Sequence, residues 1–453
     1  MGLKFKGFGG SGSFPHGVHP PERKHFSGAA AIEVIPSPGQ VLLPLLQNVG
    51  APAKTSVKAK TEVKTGDKIA DAGGFVSAPL HTPIAGKVGK TGVCTLTNGR
   101  HVPAMPVRAE GEQIEGKELW EKIFGGEWPK NADKYSPKEI VDAIQSAGIV
   151  GLGGAAFPTH VKYVPNEEKP IDTVLINGCE CEPYLTSDYR MMLEVPDPII
   201  CGSLLLAKAS GAKDIIIGVE DNKPEAAEVL KKAAAGTGIQ IAVLPTKYPQ
   251  GSEKQLILAV TGREVPLGGL PLDVGVAVSN VSTAAAIAGA VVKGNPLTHR
   301  VVSVTGAGIR TPKNLLVPFG ISIGELIEAC GGLTKDAARM VAGGPMMGFA
   351  FSDLNSPVTK GTSGITILTH EDLKKEDETS CVRCGRCVDV CPMNLVPTKI
   401  ALASRHRDTE LAQQYNIMAC FECGSCAYIC PANLPLVQLV RTGKAEVIAA
   451  SKK

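Results

Sequence analysis

The sequence predicts a multidomain α/β protein that ends in a helical, metal-binding module. Three observations predict it. At 453 residues the chain is too long for a single hydrophobic core and should divide into three or four domains. Its middle alternates helix-like and strand-like runs, the pattern of an α/β domain with a partly parallel sheet. Near its end the run Cys381-x-x-Cys384-x-x-Cys387-x-x-x-Cys391-Pro392 is repeated as Cys420-x-x-Cys423-x-x-Cys426-x-x-x-Cys430-Pro431.

The doubled cysteine run has a specific chemical reading. An iron-sulfur cube needs four thiolates converging from different directions; tight Cys-x-x-Cys turns supply three, and a proline ends the run after the fourth. Where two such runs occur together, the fourth cysteine usually ligates the other cluster. The expected ligand sets are Cys381, Cys384, Cys387 and Cys430 for one 4Fe-4S cluster, and Cys391, Cys420, Cys423 and Cys426 for the other. Structural zinc prefers ligand pairs separated by a longer gap, and disulfides are disfavoured in a reducing compartment. Residues 398–415, between the runs, read as helix. That length favours an α-helical ferredoxin module over the hairpin link of a small bacterial ferredoxin.

Composition narrows the partners. A net charge of +3 spread along the chain and only 4% aromatic residues leave neither a basic stripe nor a stacking platform. Nucleic acid is therefore not an expected partner. The five cysteines outside the runs, Cys94, Cys179, Cys181, Cys201 and Cys330, form no regular framework, which suits a reduced cytosolic protein. No N-terminal secretion signal is expected, because MGLKFKGFGGSGSF lacks an apolar segment. The longest apolar candidate, residues 283–292, is about half the length that spans a bilayer, so no transmembrane segment is expected.

Residues 1–30 are rich in Gly, Pro and His and read as a solvated arm draped on the next domain. His16, His19 and His25 lack the acidic or cysteine companions of a metal site. Residues 31–111 carry short β segments (IEVIPS, QVLLPL, TEVKTGDKIAD, PIAGKVGKTG) broken by Gly and Pro, a small all-β unit. Residues 112–294 form the α/β stretch. Its first helix opens at Ser136-Pro137-Lys138-Glu139, with an N-cap, a proline at the first position and an early glutamate. Strands are expected at 172–176, 214–219 and 240–244, with helices at 199–210 and 224–235 between them. Residues 295–352 read as strand, turn, strand and short helix. Residues 353–380 form a linker with one strand (GITIL), and 381–453 hold the cysteine runs and a short polar tail.

The middle domain carries two unusual segments. Gly151-Leu152-Gly153-Gly154-Ala155-Ala156-Phe157-Pro158-Thr159 is a glycine-rich loop of the kind that brings several amides to bear on a phosphate. Many such loops are only turns. Asn177-Gly178-Cys179-Glu180-Cys181-Glu182-Pro183 follows the apolar strand DTVLI, and the carboxyl end of a strand is where an α/β site belongs. The alternative there is a solvated acidic turn.

These segments carry a family resemblance. Gly151 to Thr159, Asn177 to Pro183 with Asp188 and Arg190, Tyr248-Pro249-Gln250-Gly251-Ser252-Glu253, and Ser279 to Thr283 resemble, in order, the flavin and NADH motifs of the 51 kDa flavin subunit of respiratory complex I. Residues 64–69, 77–79 and 82–88 resemble the barrel-sandwich hybrid of biotinyl and lipoyl domains, with Gly73-Gly74-Phe75 where those domains present their carrier lysine. Residues 299–348 resemble the soluble-ligand-binding β-grasp domain. With the doubled cysteine runs, and with Gly17 to Lys24, this order looks most like the C subunits of the Rnf complexes, the ion-translocating ferredoxin:NAD oxidoreductases.

The resemblance implies an FMN pocket of Gly151, Gly153, Gly154, Lys162, Asn177, Glu180, Tyr248, Gly251, Asn280 and Thr283, with Phe157, Glu182 and Glu253 facing NAD(H). It departs from the complex I pattern at Leu152, Ala156, Cys179 and Ser252, and in carrying ligands for two clusters rather than one. The implied activity is hydride exchange between NAD(H) and FMN followed by single-electron relay through two 4Fe-4S clusters, with no catalytic side-chain acid or base. The implied setting is peripheral, on the cytoplasmic side of the inner membrane. There the partners are the other subunits of a membrane-bound redox complex, including a ferredoxin-like iron-sulfur subunit and, indirectly, ferredoxin, with coupling to sodium or proton translocation. The alternatives are an iron-sulfur relay without its own nucleotide site, or a soluble flavin-dependent NADH dehydrogenase (diaphorase) subunit. A ligand-binding role for the β-grasp unit has little in its favour, since residues 299–348 cluster no titratable groups.

Overall fold

The computed structural model describes residues 8–164, 167–373 and 376–451. Its centre is the α/β domain. Four strands lie in the order Gln240–Leu244, Asp214–Glu220, Thr173–Asn177 and Val276–Asn280, and every pairing is parallel, where the alternation of elements predicted a partly parallel sheet. Strand periodicity sends Val174 and Ile176 to one face and Leu175 to the other. The first face is covered by helices Pro137–Ser146, Pro196–Ser210 and Val281–Lys293, the second by Glu253–Thr261. The capping box read from the sequence forms: Ser136 Oγ accepts from the Glu139 amide at 3.2 Å, and Glu139 accepts from the Ser136 amide at 2.7 Å.

The all-β unit comprises a five-stranded sheet and a three-stranded sheet, all antiparallel. Its expected first strand lies elsewhere. Ile32–Val34 pairs in parallel with Lys313–Pro318 and so becomes the edge of a six-stranded sheet with His299–Thr305, Gly364–Thr369, Ala337–Ala342 and Phe349–Phe351. Gly364–Thr369, the one strand expected in the linker, is fully buried inside that sheet between its two neighbours.

Among its described residues, 8–30, the arm is anchored at several points rather than solvated throughout, and it crosses the middle domain rather than the next one in sequence; residues 1–7 lie outside the described residues. Phe14 and Val18 are buried, Val18 and Tyr248 exchange backbone bonds at 2.9 Å, and the Gly10 amide bonds the Val260 carbonyl. His16 Nδ1 stands 2.7 Å from the Asp389 carbonyl of the cysteine module.

In that module the expected single helix is two, Pro397–Arg405 and Thr409–Gln414. Arg407 adopts a positive φ of 57°, and the Asp408 carboxylate accepts from the Leu411 amide at 2.9 Å, capping a new helix. The expected polar tail is instead the end of the helix Leu436–Ala450, with Val447 packed into the core. Among the described residues no helix is long and apolar enough to cross a membrane.

Candidate functional site

Three segments of the middle domain converge at the carboxyl ends of its parallel strands. The glycine loop is closed by the Gly151 amide, which donates to the Phe157 carbonyl at 2.9 Å. It is tied to the helix Val281–Lys293 because the Leu152 amide donates to Thr283 Oγ1 at 2.9 Å. Asn280 caps that helix, accepting from the Ser282 and Thr283 amides at 2.8 and 3.3 Å, and its Nδ2 donates to Asp188 at 2.6 Å. Burial and the nearby Glu180 push the Asp188 carboxyl up to about 6. At the end of the central strand, Asn177 Nδ2 donates to the Gly251 carbonyl at 2.7 Å.

The loop has one face turned to protein and one turned to open space. A Cβ on Gly153 would sit 2.4 Å from Asn280 Nδ2, whereas nothing lies within 4 Å of a Cβ on Gly154. At the loop's last residue, Thr159 Oγ1 is buried without a hydrogen-bond partner. An open cradle at the exposed Gly153 and Gly154 fits a phosphate-bearing group such as FMN. Lys162, a site residue by resemblance alone, donates to Glu253 at 2.9 Å and to the Val278 carbonyl at 3.1 Å.

Three of the expected ligand-facing groups have other partners. The Glu180 carboxylate accepts from the Asp188 and Tyr189 amides at 2.8 and 3.2 Å, so it anchors the start of the helix Ser187–Glu194. The Glu182 carboxylate accepts from the Met346 and Met347 amides at 2.7 and 3.0 Å, holding a loop of the six-stranded domain. Burial raises its carboxyl, and those two amides pull it back. The Tyr248 hydroxyl donates to the Cys423 carbonyl at 2.7 Å. Local spacing shows none of these bonds beyond the first, since Glu182 and Tyr248 meet residues far away in the chain.

Sequence reasoning also missed the groups that hold the acidic segment in place. Lys24, from the arm, donates to the carbonyls of Glu180 and Leu185 at 2.7 Å each. Lys223 donates to the Cys179 carbonyl at 2.7 Å and to Glu220 at 2.9 Å, and both side chains of that pair are 1% exposed. Arg300, buried beneath the glycine loop, donates to the Leu152 carbonyl at 3.0 Å. Lys24 and Lys223 stand in short polar segments and Arg300 at the start of an apolar strand, and nothing in the sequence around them marks them as supports of the site.

The two cysteine runs fold against each other. Cys391, Cys420, Cys423 and Cys426 line one cavity, together with Leu395, Ile400 and Val440. Cys387 and Cys430 share a second apolar cluster with Ala401 and Leu436. Among the described residues, no three His, Cys, Asp or Glu side chains approach closely enough to hold one metal ion. A cube of four irons spreads its thiolates wider than a single ion does, and an all-thiol set in an apolar cavity fits such a cube. Burial pushes the Cys423 thiol up to about 11, so a bound electropositive centre is what would draw out the thiolate.

The middle domain meets the module on the side of this cavity. Tyr248 bonds Cys423 and Gln255 Nε2 donates to the Pro392 carbonyl at 3.1 Å, while the Met346 loop of the six-stranded domain packs beside them, its carbonyl oxygen 2.5 Å from where a Cβ on Gly424 would lie. Cys381 and Cys384, at the other end, are exposed.

Four domain families match in chain order. The RnfC barrel sandwich hybrid domain matches residues 12–112, the Nuo51 FMN-binding domain 144–289, the SLBB domain 301–350 and a 4Fe-4S dicluster domain 373–431. The chain is 44% identical to the C subunit of the proton-translocating ferredoxin:NAD(+) oxidoreductase complex of Clostridium ljungdahlii, covering 97% of this chain and 95% of that one. It is 40% identical to the Na(+)-translocating counterpart of Acetobacterium woodii, covering 98% of each. The C subunit of the ion-translocating oxidoreductase complex of Rhodobacter capsulatus is 42% identical, over 95% of this chain and 82% of that one. A crystal structure of NAD+-reducing NiFe-hydrogenase in the H2-reduced state shares the fold over 74% of this chain and 65% of that chain, just under two thirds, with a TM-score of 0.50 and 18% identity. Identity of this level over nearly the whole length, with the four domains in order, shows that the chain belongs to the family of Rnf-complex C subunits, an oxidoreductase family.

Proposed function

We propose that the chain is the NAD(H)-oxidoreducing subunit of a membrane-bound ferredoxin:NAD oxidoreductase. It would bind one FMN and two 4Fe-4S clusters and pass electrons between NAD(H) and a further iron-sulfur subunit, with ferredoxin reached indirectly. The chemistry FMN supplies when bound is exchange of a hydride with NAD(H) and handling of the electrons one at a time, and iron-sulfur cubes carry single electrons. The observation that carries the reading is the segment Tyr248–Gly251. One end meets Asn177 in the pocket and the other meets Cys423 in the second cysteine run, so one rigid connection spans both sites.

The chain's own residues would do the following. Gly153 and Gly154 present amides to the FMN phosphate, Gly151 closes the loop through its bond to the Phe157 carbonyl, and Asn280 and Thr283 hold that loop from beneath. Lys162 supplies a cation beside the site, oriented by Glu253. Asn177 and Gly251 form the floor at the strand ends. Phe157 and Glu253 stand by the loop, where a nicotinamide nucleotide would enter. Glu180, Glu182 and Tyr248 keep the frame rigid, an assignment that follows from their protein partners. Cys391, Cys420, Cys423 and Cys426 would hold the cluster next to the flavin domain. Cys381, Cys384, Cys387 and Cys430 would hold the outer one, whose exposed cysteines face a partner.

The protein would sit peripherally on the cytoplasmic side of the membrane, with sodium or proton translocation carried out by other subunits. Anaerobic addition of NADH to the FMN- and iron-reconstituted chain tests the reading. Bleaching of the flavin absorbance is expected. A chain that holds FMN yet shows no bleaching contradicts it.

A further inference from the structure

We propose that Phe75, at the tip of the barrel-domain hairpin, packs against the adenine ring of NAD(H) at the rim of the middle-domain site. The inference rests on the NAD(H) reading above and adds a second domain to the nucleotide site.

An exposed phenylalanine is ordinary by itself. The hairpin that carries this one is stapled. A Cβ on Gly73 would fall 1.9 Å from the Pro52 carbonyl oxygen, so only glycine fits there. The Gly73 amide donates to Ser77 Oγ at 2.9 Å, Ser77 Oγ donates to the Ala51 carbonyl at 2.9 Å, and the Ala51 amide donates to the Val76 carbonyl at 2.9 Å. This small frame fixes Phe75, which nevertheless stays 63% exposed.

The frame is docked on the glycine loop. The Val49 amide donates to the Ala156 carbonyl at 3.2 Å. The Phe75 carbonyl lies 3.2 Å from His160 Nε2, and its ring stands edge-on to the His160 imidazole, with centroids 6.1 Å apart and planes at 89°. His160 belongs to the helical turn Thr159–Lys162 that leaves the loop. The barrel domain therefore delivers an aromatic ring, one edge packed and the remainder free, to the Ala156 side of the cradle.

Hydride exchange requires the nicotinamide to lie against the flavin, at the strand ends marked by Asn177 and Gly251. The loop's Gly153 side faces that end through Asn280, and its Ala156 side faces the barrel domain. The other end of the dinucleotide, the adenosine, would then fall at the rim where Phe75 stands. Base–aromatic stacking is sequence-tolerant and strong enough to change affinity about tenfold per ring.

The test uses the full chain loaded with FMN and measures calorimetric binding of NAD+ and of ADP-ribose to wild type, Phe75→Ala and Phe75→Tyr. Phe75→Ala should weaken both ligands about tenfold, Phe75→Tyr should restore binding, and FMN content should be the same in all three. Unchanged NAD+ affinity in Phe75→Ala overturns the inference. Loss confined to NAD+, with ADP-ribose unaffected, overturns the adenine assignment. If the wild type itself binds no NAD+, the underlying reading fails, and that failure shows before any variant is made.

Discussion

Replacing Gly153 and Gly154 by alanine, one at a time, separates what the loop does for the fold from what it does for a ligand. At Gly153 the added Cβ would lie 2.4 Å from Asn280 Nδ2, 2.7 Å from its Cγ and 2.9 Å from its Cβ. Asn280 cannot step aside freely, because it caps one helix and bonds Asp188 at 2.6 Å. Overpacking of this kind costs about 1–3 kcal/mol, and a lost N-cap about 1 kcal/mol. Taken together these come to about 2–4 kcal/mol, and the central figure of about 3 kcal/mol is a fall in Tm of roughly 6–12 °C for a domain of this size. At Gly154 the same methyl group meets nothing within 4 Å, so the unliganded chain should melt as the wild type does. It would, however, occupy the space in front of the loop amides, and FMN affinity should fall at least about tenfold, equivalent to ~1.4 kcal/mol. Thermal unfolding of the flavin-free chain and fluorescence titration with FMN read the two effects separately. A Gly154→Ala chain that binds FMN like wild type, or a Gly153→Ala chain that melts normally, refutes the reasoning.

Lys223→Met leaves the Glu220 carboxylate buried without its cation, and breaking such a pair from one side costs about 3–5 kcal/mol; urea denaturation should show it, and a loss below about 1 kcal/mol counts against a charged pair. Lys360 is buried, donating to the Pro79 and Gly148 carbonyls at 2.9 and 2.7 Å, and burial lowers its ammonium to about 7. The unfolded chain, whose lysines keep the ordinary value near 10.5, then holds the extra proton between these two values, so this residue makes stability rise with pH across that window. Lys360→Met should be less stable throughout and should lack that rise; parallel stability curves for the two chains exclude the effect. For the clusters, the double variant Cys381→Ser with Cys430→Ser disables one crossed set and should keep about half of the iron. Near-complete loss would mean that each run ligates its own cluster.

Much of the fold was legible because its signals are local. The capping box at Ser136 and Glu139 and the strand at Gln240–Leu244 follow from residues a few positions apart, and both form as read. Errors came where a distant or single-residue feature decided. Ile32–Val34 looks like its barrel neighbours, but it is captured by Lys313–Pro318, almost three hundred positions away. One positive φ at Arg407 splits a helix whose composition is helical throughout. The site follows the same rule. Gly153 and Asn280 stand in recognisable motifs and do meet, whereas Glu182 and Tyr248 are claimed by Met346, Met347 and Cys423, partners outside those motifs. In sequence, Phe75 signals only the absence of a carrier lysine. Its position against His160 depends on how two domains dock.

The account stands on a flavin and two iron-sulfur clusters occupying one polypeptide, and the most direct measurement counts them. Iron, acid-labile sulfide and flavin in anaerobically prepared full-length protein should come to about eight, eight and one per chain. Zinc in place of iron, or iron in the expected amount with no flavin retained, would contradict it.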